Sequence, residues 1–199
     1  MIQNIVFDMG RVLLNYTPQE YMKTITEDEV IAAAVFKELF NGKEWIGLDA
    51  GTITEEDAVK QVSLRIPSYA HYVEKAMDNW HTNLTPISGM QEILKRLKGQ
   101  HYKLYLLSNT SLRFFKFKEN FELFNYFDGF LVSAQEKLMK PDKAIFDRIC
   151  SRYSLHPDEC LFIDDLQPNI EGAIQSGFHA HLFTGAQELC GYLEQQGIL

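Results

Sequence analysis

Short, continuous runs of apolar residues recur along the chain, and this feature restricts the fold more than any other. The strand candidates are Ile2–Phe7, Lys103–Leu107, Gly129–Val132, Leu161–Ile163 and Ala180–Phe183. Most of them lack strict apolar–polar alternation, as expected for parallel strands with both faces buried. Between the runs lie helical patterns, for example Met90, Ile93, Leu94 and Leu97. Strands that alternate with helices predict an α/β fold, a Rossmann-like parallel sheet flanked by helices.

One long segment interrupts this alternation. From about Thr17 to Leu84 the sequence carries many helix signals and little strand signal. Ile31–Phe40 is rich in apolar residues, and Thr54 with Asp57 fits the start of a helix. These patterns predict an all-helical domain of residues 17–84, inserted into a core domain of residues 1–16 and 85–199. Because no Pro- or Ser-rich linker is present, we expect the insertion to be docked onto the sheet domain.

Composition and charge exclude several classes of protein. Of the 199 residues, 46% are hydrophobic and 23% are charged, which is ordinary globular usage and excludes disordered or fibrous chains. The net charge of −8 disfavours nucleic acid and anionic lipid as partners. No signal peptide precedes Asp8 and no apolar run reaches membrane-spanning length, so we expect a cytoplasmic protein. The cysteines are then expected to be reduced: Cys150, Cys160 and Cys190.

Polar residues that can carry chemistry follow four of the predicted strands. In open α/β sheets, ligands bind beyond the carboxyl ends of the strands. Carboxylates, a hydroxyl, an amide and an ammonium are expected at that rim, from Asp8, Ser108-Asn109-Thr110, Lys140 and Asp164-Asp165. A single Asp after a strand is more often a helix cap or a turn residue. Four such sets at one rim indicate a functional site.

The three carboxylates predict a bound cation. If Asp8 and Asp165 converge with Asp164 close by, their like charges raise the pKa values and oppose folding unless they are neutralised. Lys140 alone cannot balance three acids, and a donor set made only of oxygens favours Mg²⁺ over zinc. The alternative is an acidic rim in which one carboxyl is protonated. A magnesium site suits phosphoryl transfer, in which a carboxylate can attack phosphorus and form an aspartyl-phosphate.

Four motifs carry a resemblance to a known family. They are Val-Phe-Asp8-Met-Gly10-Arg11-Val-Leu, Leu-Ser108-Asn109-Thr110, Lys140-Pro-Asp and Phe-Ile-Asp164-Asp165-x-x-x-Asn169-x-x-Gly172-Ala. In order and spacing they resemble the motifs of the haloacid dehalogenase superfamily of hydrolases, and most of all its branch of sugar-phosphate phosphatases, including glucose-1-phosphate phosphatases. The resemblance covers the whole chain, because the helical insertion lies where that family places a C1 cap. It implies a Mg²⁺-dependent phosphatase for a small phosphorylated metabolite, with sugar phosphates as candidates.

The resemblance also implies roles for single residues. Asp8 would be the nucleophile and a Mg²⁺ ligand, and Lys140 would balance charge on the nucleophile and the phosphoryl group. Asp165 would bind Mg²⁺ directly, and Asp164 directly or through water. Asn169 would support the loop that carries this acid pair. The phosphoryl oxygens would be held by the hydroxyl, side-chain amide and backbone amides of Ser108, Asn109 and Thr110.

One residue departs from the pattern of the family. Most of its phosphatases carry a second Asp two residues after the nucleophile, which serves as general acid and base, and this chain has Gly10 there. The Gly10 carbonyl can still coordinate Mg²⁺, but a proton donor usually worth about 10²- to 10⁴-fold in rate is absent. We therefore expect slow turnover, a preference for good leaving groups, or a proton relay borrowed from the cap. Arg11 either faces the phosphate or is a solvent-exposed or structural residue.

The insertion is expected to select the substrate. The segment from Trp45 to Thr54 resembles the turn that C1 caps lower toward the nucleophile, and Gly51 permits a tight turn there. Asp49 could bind sugar hydroxyls in that position. Trp45 either contacts the substrate or packs in the core of the cap.

Two alternatives to a phosphatase stay open at this point. A metal-independent 2-haloacid dehalogenase would use the same aspartate to displace halide from carbon, but it has no use for a metal-binding acid pair. The other is a catalytically weak or inactive binding protein that lost turnover with the carboxyl at Gly10. The retention of Asp8, Lys140 and Asp165 weighs against it. The expected oligomeric state is a monomer or a weak homodimer. The sequence does not decide between these two.

Overall fold

The structure is a computed structural model that describes residues 1–199. A five-stranded parallel sheet forms its centre. The strands of the whole chain are β1 Asn4–Phe7, β2 Leu14–Asn15, β3 Thr85–Pro86, β4 Lys103–Ser108, β5 Gly129–Val132, β6 Cys160–Asp164 and β7 His179–Leu182. In the large sheet the order is β5-β4-β1-β6-β7, and every neighbouring pair is parallel. Each of its strands matches a predicted apolar run to within two residues. The predicted α/β class and the parallel sheet are confirmed.

Helices cover the sheet on both sides. The α-helices are α1 Pro18–Ile25, α2 Glu29–Val35, α3 Lys43–Asp49, α4 Glu55–Arg65, α5 Ala70–Asn79, α6 Met90–Gly99, α7 Phe114–Phe117, α8 Ser133–Glu136, α9 Lys143–Tyr153, α10 Gln167–Gln175 and α11 Ala186–Gln195. A π-helical turn continues α2 over Phe36–Phe40. None of the helices combines the length and the apolar character needed to cross a bilayer.

Alternate residues of each central strand enter two different cores. Val6 and Phe162 pack on one side with residues of α9 and α10. Ile5 and Phe7 pack on the other side with residues of α6 and α11. Successive side chains of a strand point to opposite faces, so a strand covered on both sides needs apolar residues at every position. This accounts for the continuous apolar runs of the sequence.

The chain leaves and re-enters the core at neighbouring points. β2 and β3 pair antiparallel, with Asn15 opposite Thr85 and a hydrogen bond of 3.0 Å from Asn15 Nδ2 to Thr85 Oγ1. The residues between them, 17–84, contain helices and no strand. The all-helical insertion is therefore observed where the sequence predicts it. Its status as a separate domain stays a prediction.

Three contacts fasten the insertion to the core. Arg113, in the segment after β4, forms an ion pair with Glu55 at the start of α4, and its Nη1 donates to the Asp78 carbonyl oxygen in α5 at 2.8 Å. The Ser133 hydroxyl, at the start of α8, donates to the Asp49 carbonyl oxygen at 2.5 Å. These contacts join α3, α4 and α5 of the insertion to the segments that follow β4 and β5.

The turn after α3 needs glycine at position 51. Gly51 has a φ of +66°, and a methyl group there would lie 2.1 Å from the carbonyl oxygen of Ala134. Both the left-handed conformation and the lack of space exclude a side chain. The tight turn that the sequence predicts at Gly51 is confirmed.

Gly51→Ala should lower the free energy of unfolding by about 2 kcal/mol or more, because strain at positive φ and overpacking add. Gly191→Ala is the matched control. Gly191 lies inside α11 with no atom within 4 Å of the added carbon, so this change should stabilise by about 0.5–1 kcal/mol. Urea unfolding of the two variants and the wild type measures both effects. Equal stability of Gly51→Ala and wild type would contradict the tight packing of this turn.

Candidate active site

The carboxyl ends of the central strands and the helical insertion enclose a pocket of about 280 Å³. Of the predicted site residues, only Asp164 is absent from its lining; it is fully buried just behind the wall. The structure brings the others together there: Asp8, Gly10, Arg11, Trp45, Asp49, Ser108, Asn109, Thr110, Lys140, Asp165 and Asn169. The four motifs therefore meet in one place, although their individual roles stay predictions.

Lys140 lies between two carboxylates in the floor of the pocket. Its Nζ donates to Asp8 Oδ1 and to Asp164 Oδ2, each at 2.7 Å, and all three residues are buried. Burial by itself would lower the pKa of Lys140, but the charges of Asp8 and Asp164 raise it, so the ammonium keeps its proton. Burial, together with the charge of Asp164, raises the pKa of Asp8 to about 6, and Lys140 opposes this increase.

The backbone at Lys140 is positioned by Asn109. The Asn109 side chain donates to the Lys140 carbonyl oxygen and accepts from the Lys140 N–H, both at 2.9 Å. This two-point contact connects the segment after β4 with the segment before α9. The Asn109 side chain thus holds the lysine in place, and the second hydrogen of its amide is the one left for a phosphoryl oxygen.

Asp164 is saturated with protein donors. Its Oδ1 accepts from the Leu166 N–H at 2.9 Å and from Asn169 Nδ2 at 3.0 Å. Its Oδ2 accepts from Asn169 Nδ2 at 3.0 Å and from Lys140 Nζ. A carboxylate has about four lone-pair positions, and in this structure each of the two Asp164 oxygens accepts two hydrogen bonds from protein donors. The geometry favours a positioning role for Asp164, and Asn169 supports the loop as the resemblance implies.

The carboxylates form a cluster that fits a hard cation. One oxygen each from Asp8, Asp164 and Asp165 lies within 4.8 Å of the others. Burial and the charge of Asp164 raise the pKa of Asp165, a half-buried residue on the pocket wall. A single ammonium leaves this group of acids with excess negative charge, and its donors are all oxygens. This is the donor chemistry that Mg²⁺ takes, with open positions for water and phosphate.

The segment after β4 forms the neighbouring wall. Ser108 is buried and lines the pocket. The Thr110 N–H donates to Ser133 Oγ at 2.8 Å, so this amide is already paired within the protein. Thr110 lines the pocket, but its amide is not free for a phosphoryl oxygen in this structure. The phosphoryl contacts of Ser108 and Asn109 stay predictions.

Arg11 occupies an uncommon backbone conformation at the mouth of the pocket. Its φ is +59°, and the Leu13 and Leu14 N–H groups both donate to the Met9 carbonyl oxygen, at 2.9 and 3.0 Å. Positive φ in a residue with a side chain is uncommon and strained. The Arg11 side chain is exposed yet lines the pocket. The lining position fits the predicted role of facing the phosphate and the exposure fits the predicted role of a solvent-exposed residue, so both alternatives stay open.

Aromatic side chains form the wall on the side of the insertion. Tyr16 stacks on Trp45 with ring centroids 6.5 Å apart, and Trp45 meets Trp80 edge to face at 5.4 Å. All three line the pocket. Trp45 therefore packs against aromatic residues of the insertion and also lines the pocket, and its contact with a substrate stays a prediction. Trp80 is a pocket residue that the sequence does not identify, because its place in the lining depends on how the insertion packs on the core.

Asp49 brings a carboxyl from the insertion into the same pocket. It is the last residue of α3, and its backbone is held by the hydrogen bond from Ser133. Burial and the nearby charge of Asp8 raise the pKa of Asp49 to about 8, and the Ser111 amide partly offsets this. The Asp49 carboxyl is the one acid that the insertion supplies to the lining.

Comparison with known proteins agrees with this geometry. The family model described as haloacid dehalogenase-like hydrolase matches residues 5–183. The chain is 25% identical over 191 residues to a sesquiterpene phosphatase of Aspergillus oryzae, covering 96% of this chain and 94% of that protein. It is 26% identical over 197 residues to a D-ribitol-5-phosphate phosphatase of Bacteroides thetaiotaomicron, covering 89% and 90%.

A solved structure has the same fold. A haloacid dehalogenase family enzyme from Bacteroides thetaiotaomicron, in complex with magnesium and inorganic phosphate, superposes with a TM-score of 0.73. The two are 24% identical, and the match covers 93% of this chain and 96% of that one. The predicted family and the prediction of a hydrolase are confirmed. Because the family match spans most of the sequence, the protein belongs to the haloacid dehalogenase-like hydrolases.

Proposed function

We propose that the protein is a Mg²⁺-dependent phosphatase that hydrolyses a small phosphorylated metabolite through a phosphorylated Asp8. The observation that carries this proposal is the Lys140 ammonium held 2.7 Å from both Asp8 and Asp164, with Asp165 on the wall of the same pocket. A buried nucleophile next to a fixed cation and an acidic metal cluster suits attack on an anionic phosphoryl group. The phosphatase relatives support the same reaction class.

Each residue of the site has its own role in such a reaction. Asp8 uses one oxygen to bind Lys140 and keeps Oδ2 for attack on phosphorus. Lys140 lies between the carboxylates of Asp8 and Asp164 and offsets negative charge in the ground state and the transition state. Ser108 and Asn109 orient the phosphoryl oxygens. Asp8 and Asp165, with the Gly10 carbonyl, would hold Mg²⁺, which supplies further charge neutralisation for the phosphoryl oxygens.

The alternatives have less support. The cluster of Asp8, Asp164 and Asp165 has no use in a metal-independent 2-haloacid dehalogenase. Burying an ion cluster costs free energy unless its partners are well placed. An inactive binding protein would have no need for such a cluster, here an ammonium between two carboxylates. The structure gives no reason to prefer either over a phosphatase.

We propose that residues 17–84 act as a cap domain that selects the leaving group, with sugar phosphates as the candidate class. Flat aromatic faces such as Trp45 can cover the C–H face of a sugar, and Arg11 lies at the mouth of the pocket. The ribitol phosphatase supports a polyol leaving group. The sesquiterpene phosphatase makes isoprenyl phosphates the second class to compare. A cytoplasmic location and a monomer or weak homodimer stay predictions.

Asp8→Asn should lower turnover of p-nitrophenyl phosphate by at least about 10³-fold, because the nucleophile is lost. EDTA should abolish wild-type activity, and added Mg²⁺ should restore it. Phosphate release is the measurement, and Asp147→Asn, an exposed Asp on α9, is the matched control with unchanged activity. Full activity in Asp8→Asn or in EDTA would exclude the proposal. Halide release from 2-chloropropionate would indicate a dehalogenase instead.

Trp45→Leu should raise KM for the preferred sugar phosphate about tenfold, or ~1.4 kcal/mol, with a smaller change in kcat. The reason is the loss of aromatic surface against the leaving group. The control is Phe115→Leu, which changes an exposed aromatic side chain outside the insertion. The panel contains sugar phosphates and isoprenyl phosphates. Unchanged KM across the panel would remove Trp45 from the binding surface, and preference for isoprenyl phosphates would replace the sugar-phosphate class.

A further inference from the structure

The pocket lacks a proton donor at the position where the family usually has one. Gly10 offers no side chain, yet an alkoxide leaving group needs a proton, and the water that cleaves a phosphorylated Asp8 must lose one. The titratable side chains that line the pocket are Asp8, Arg11, Tyr16, Asp49, Lys140 and Asp165. Any replacement donor within the pocket must come from this set.

Most of these groups are already committed. Asp8 is the nucleophile, Lys140 donates to two carboxylates, and Asp165 belongs to the acidic cluster. Arg11 does not give up a proton in proteins. Two groups remain, Tyr16 and Asp49, and both line the pocket.

We propose that Asp49, supplied by the helical insertion, is the general acid and base of this site and replaces the carboxyl that Gly10 lacks. This inference rests on the proposed phosphatase function. The backbone of Asp49 is fixed by the hydrogen bond of 2.5 Å from Ser133, whose Oγ also accepts from the Thr110 N–H at 2.8 Å. Through Ser133, the Asp49 backbone is connected to the segment that carries Ser108 and Asn109.

The ionisation of the two remaining groups favours Asp49 over Tyr16. A general acid and base works best when its pKa lies near the working pH. Burial raises the pKa of Asp49 above the ordinary value of a carboxyl, so this group holds a proton more readily than an exposed carboxyl and can still transfer it. Burial and the charge of Asp49 raise the pKa of Tyr16 well above its ordinary value, although Arg11 opposes this. Tyr16 is therefore a poor acid in this pocket.

Proton and bond changes balance over the two steps. In the first step, Asp8 Oδ2 attacks phosphorus, the bond from phosphorus to the leaving oxygen breaks, and the Asp49 carboxyl gives its proton to that oxygen. In the second step, water attacks the phosphorylated Asp8 and the Asp49 carboxylate takes a proton from that water. The bond from phosphorus to Asp8 breaks, phosphate leaves, and both residues return to their starting forms.

The leaving group provides the sharpest test. Phenyl and p-nitrophenyl phosphate have similar shapes, but phenolate is the more basic leaving group and needs a proton more. We expect Asp49→Asn to lower kcat/KM for phenyl phosphate by about 10²-fold or more and for p-nitrophenyl phosphate by less than about tenfold. The Ser133 contact uses the Asp49 backbone, so the substitution leaves it in place. Equal losses on both esters, or no loss, would overturn the proposal.

A second variant tests whether proton transfer is what was lost. A Cβ added at Gly10 meets no atom within 4 Å, so Gly10→Asp is a suitable way to introduce a carboxyl beside the nucleophile. In Asp49→Asn/Gly10→Asp, kcat/KM for phenyl phosphate should rise at least about tenfold over Asp49→Asn. Lack of any such rise would count against a proton-transfer role for Asp49.

The remaining controls separate this inference from the proposed function. Glu56→Gln, an exposed carboxyl on α4, should leave both esters unaffected. Circular dichroism melting shows whether each variant is folded. If wild type hydrolyses neither ester, the proposed function fails and this inference with it. If Asp8→Asn is inactive but Asp49→Asn keeps wild-type kcat/KM on phenyl phosphate, only the role of Asp49 is refuted.

Discussion

The contact of one ammonium with two carboxylates organises the functional end of this protein. Lys140 joins the end of β1, through Asp8, to the end of β6, through Asp164, and all three groups are buried. Removing charges from water is expensive, so such a cluster persists only with good geometry and satisfied hydrogen bonds. Asn109 and Asn169 supply these bonds from two further segments. The excess negative charge that remains makes the pocket suitable for a divalent cation and an anionic substrate.

Much of this arrangement could be predicted from the sequence because two simple rules act together. Burial on both faces requires continuous apolar strands, and this predicts where Ile5, Leu106 and Phe162 lie. Parallel strands then place Asp8, Ser108 and Asp165 at one rim whatever the detailed packing. The short pair β2 and β3 escaped prediction because two residues carry no periodicity. Helix α11 was not predicted either, although its residues Leu189 and Leu193 are buried.

The sequence could not predict which polar atoms pair with one another. The saturation of Asp164 depends on Asn169, Leu166 and Lys140 arriving together, and the pairing of the Thr110 amide depends on Ser133. The contribution of Trp80 to the pocket depends on how the insertion docks. These are contacts between distant segments, and they are set by tertiary packing rather than by local propensity. Motifs therefore identify the residues of a site more readily than they identify what each residue does.

One half of the site is built on the central sheet and the other half on the helical insertion. Asp8, Lys140 and Ser108 stand on the rigid sheet, where strand register fixes their spacing. Trp45 and Asp49 stand on the insertion, which the ion pair of Arg113 and the hydroxyl of Ser133 hold against the core. Phosphoryl chemistry needs rigid geometry, whereas selection of the leaving group needs a surface that can differ between relatives. A proton donor on the insertion would couple the two halves, because it can reach the leaving oxygen only while the insertion is docked.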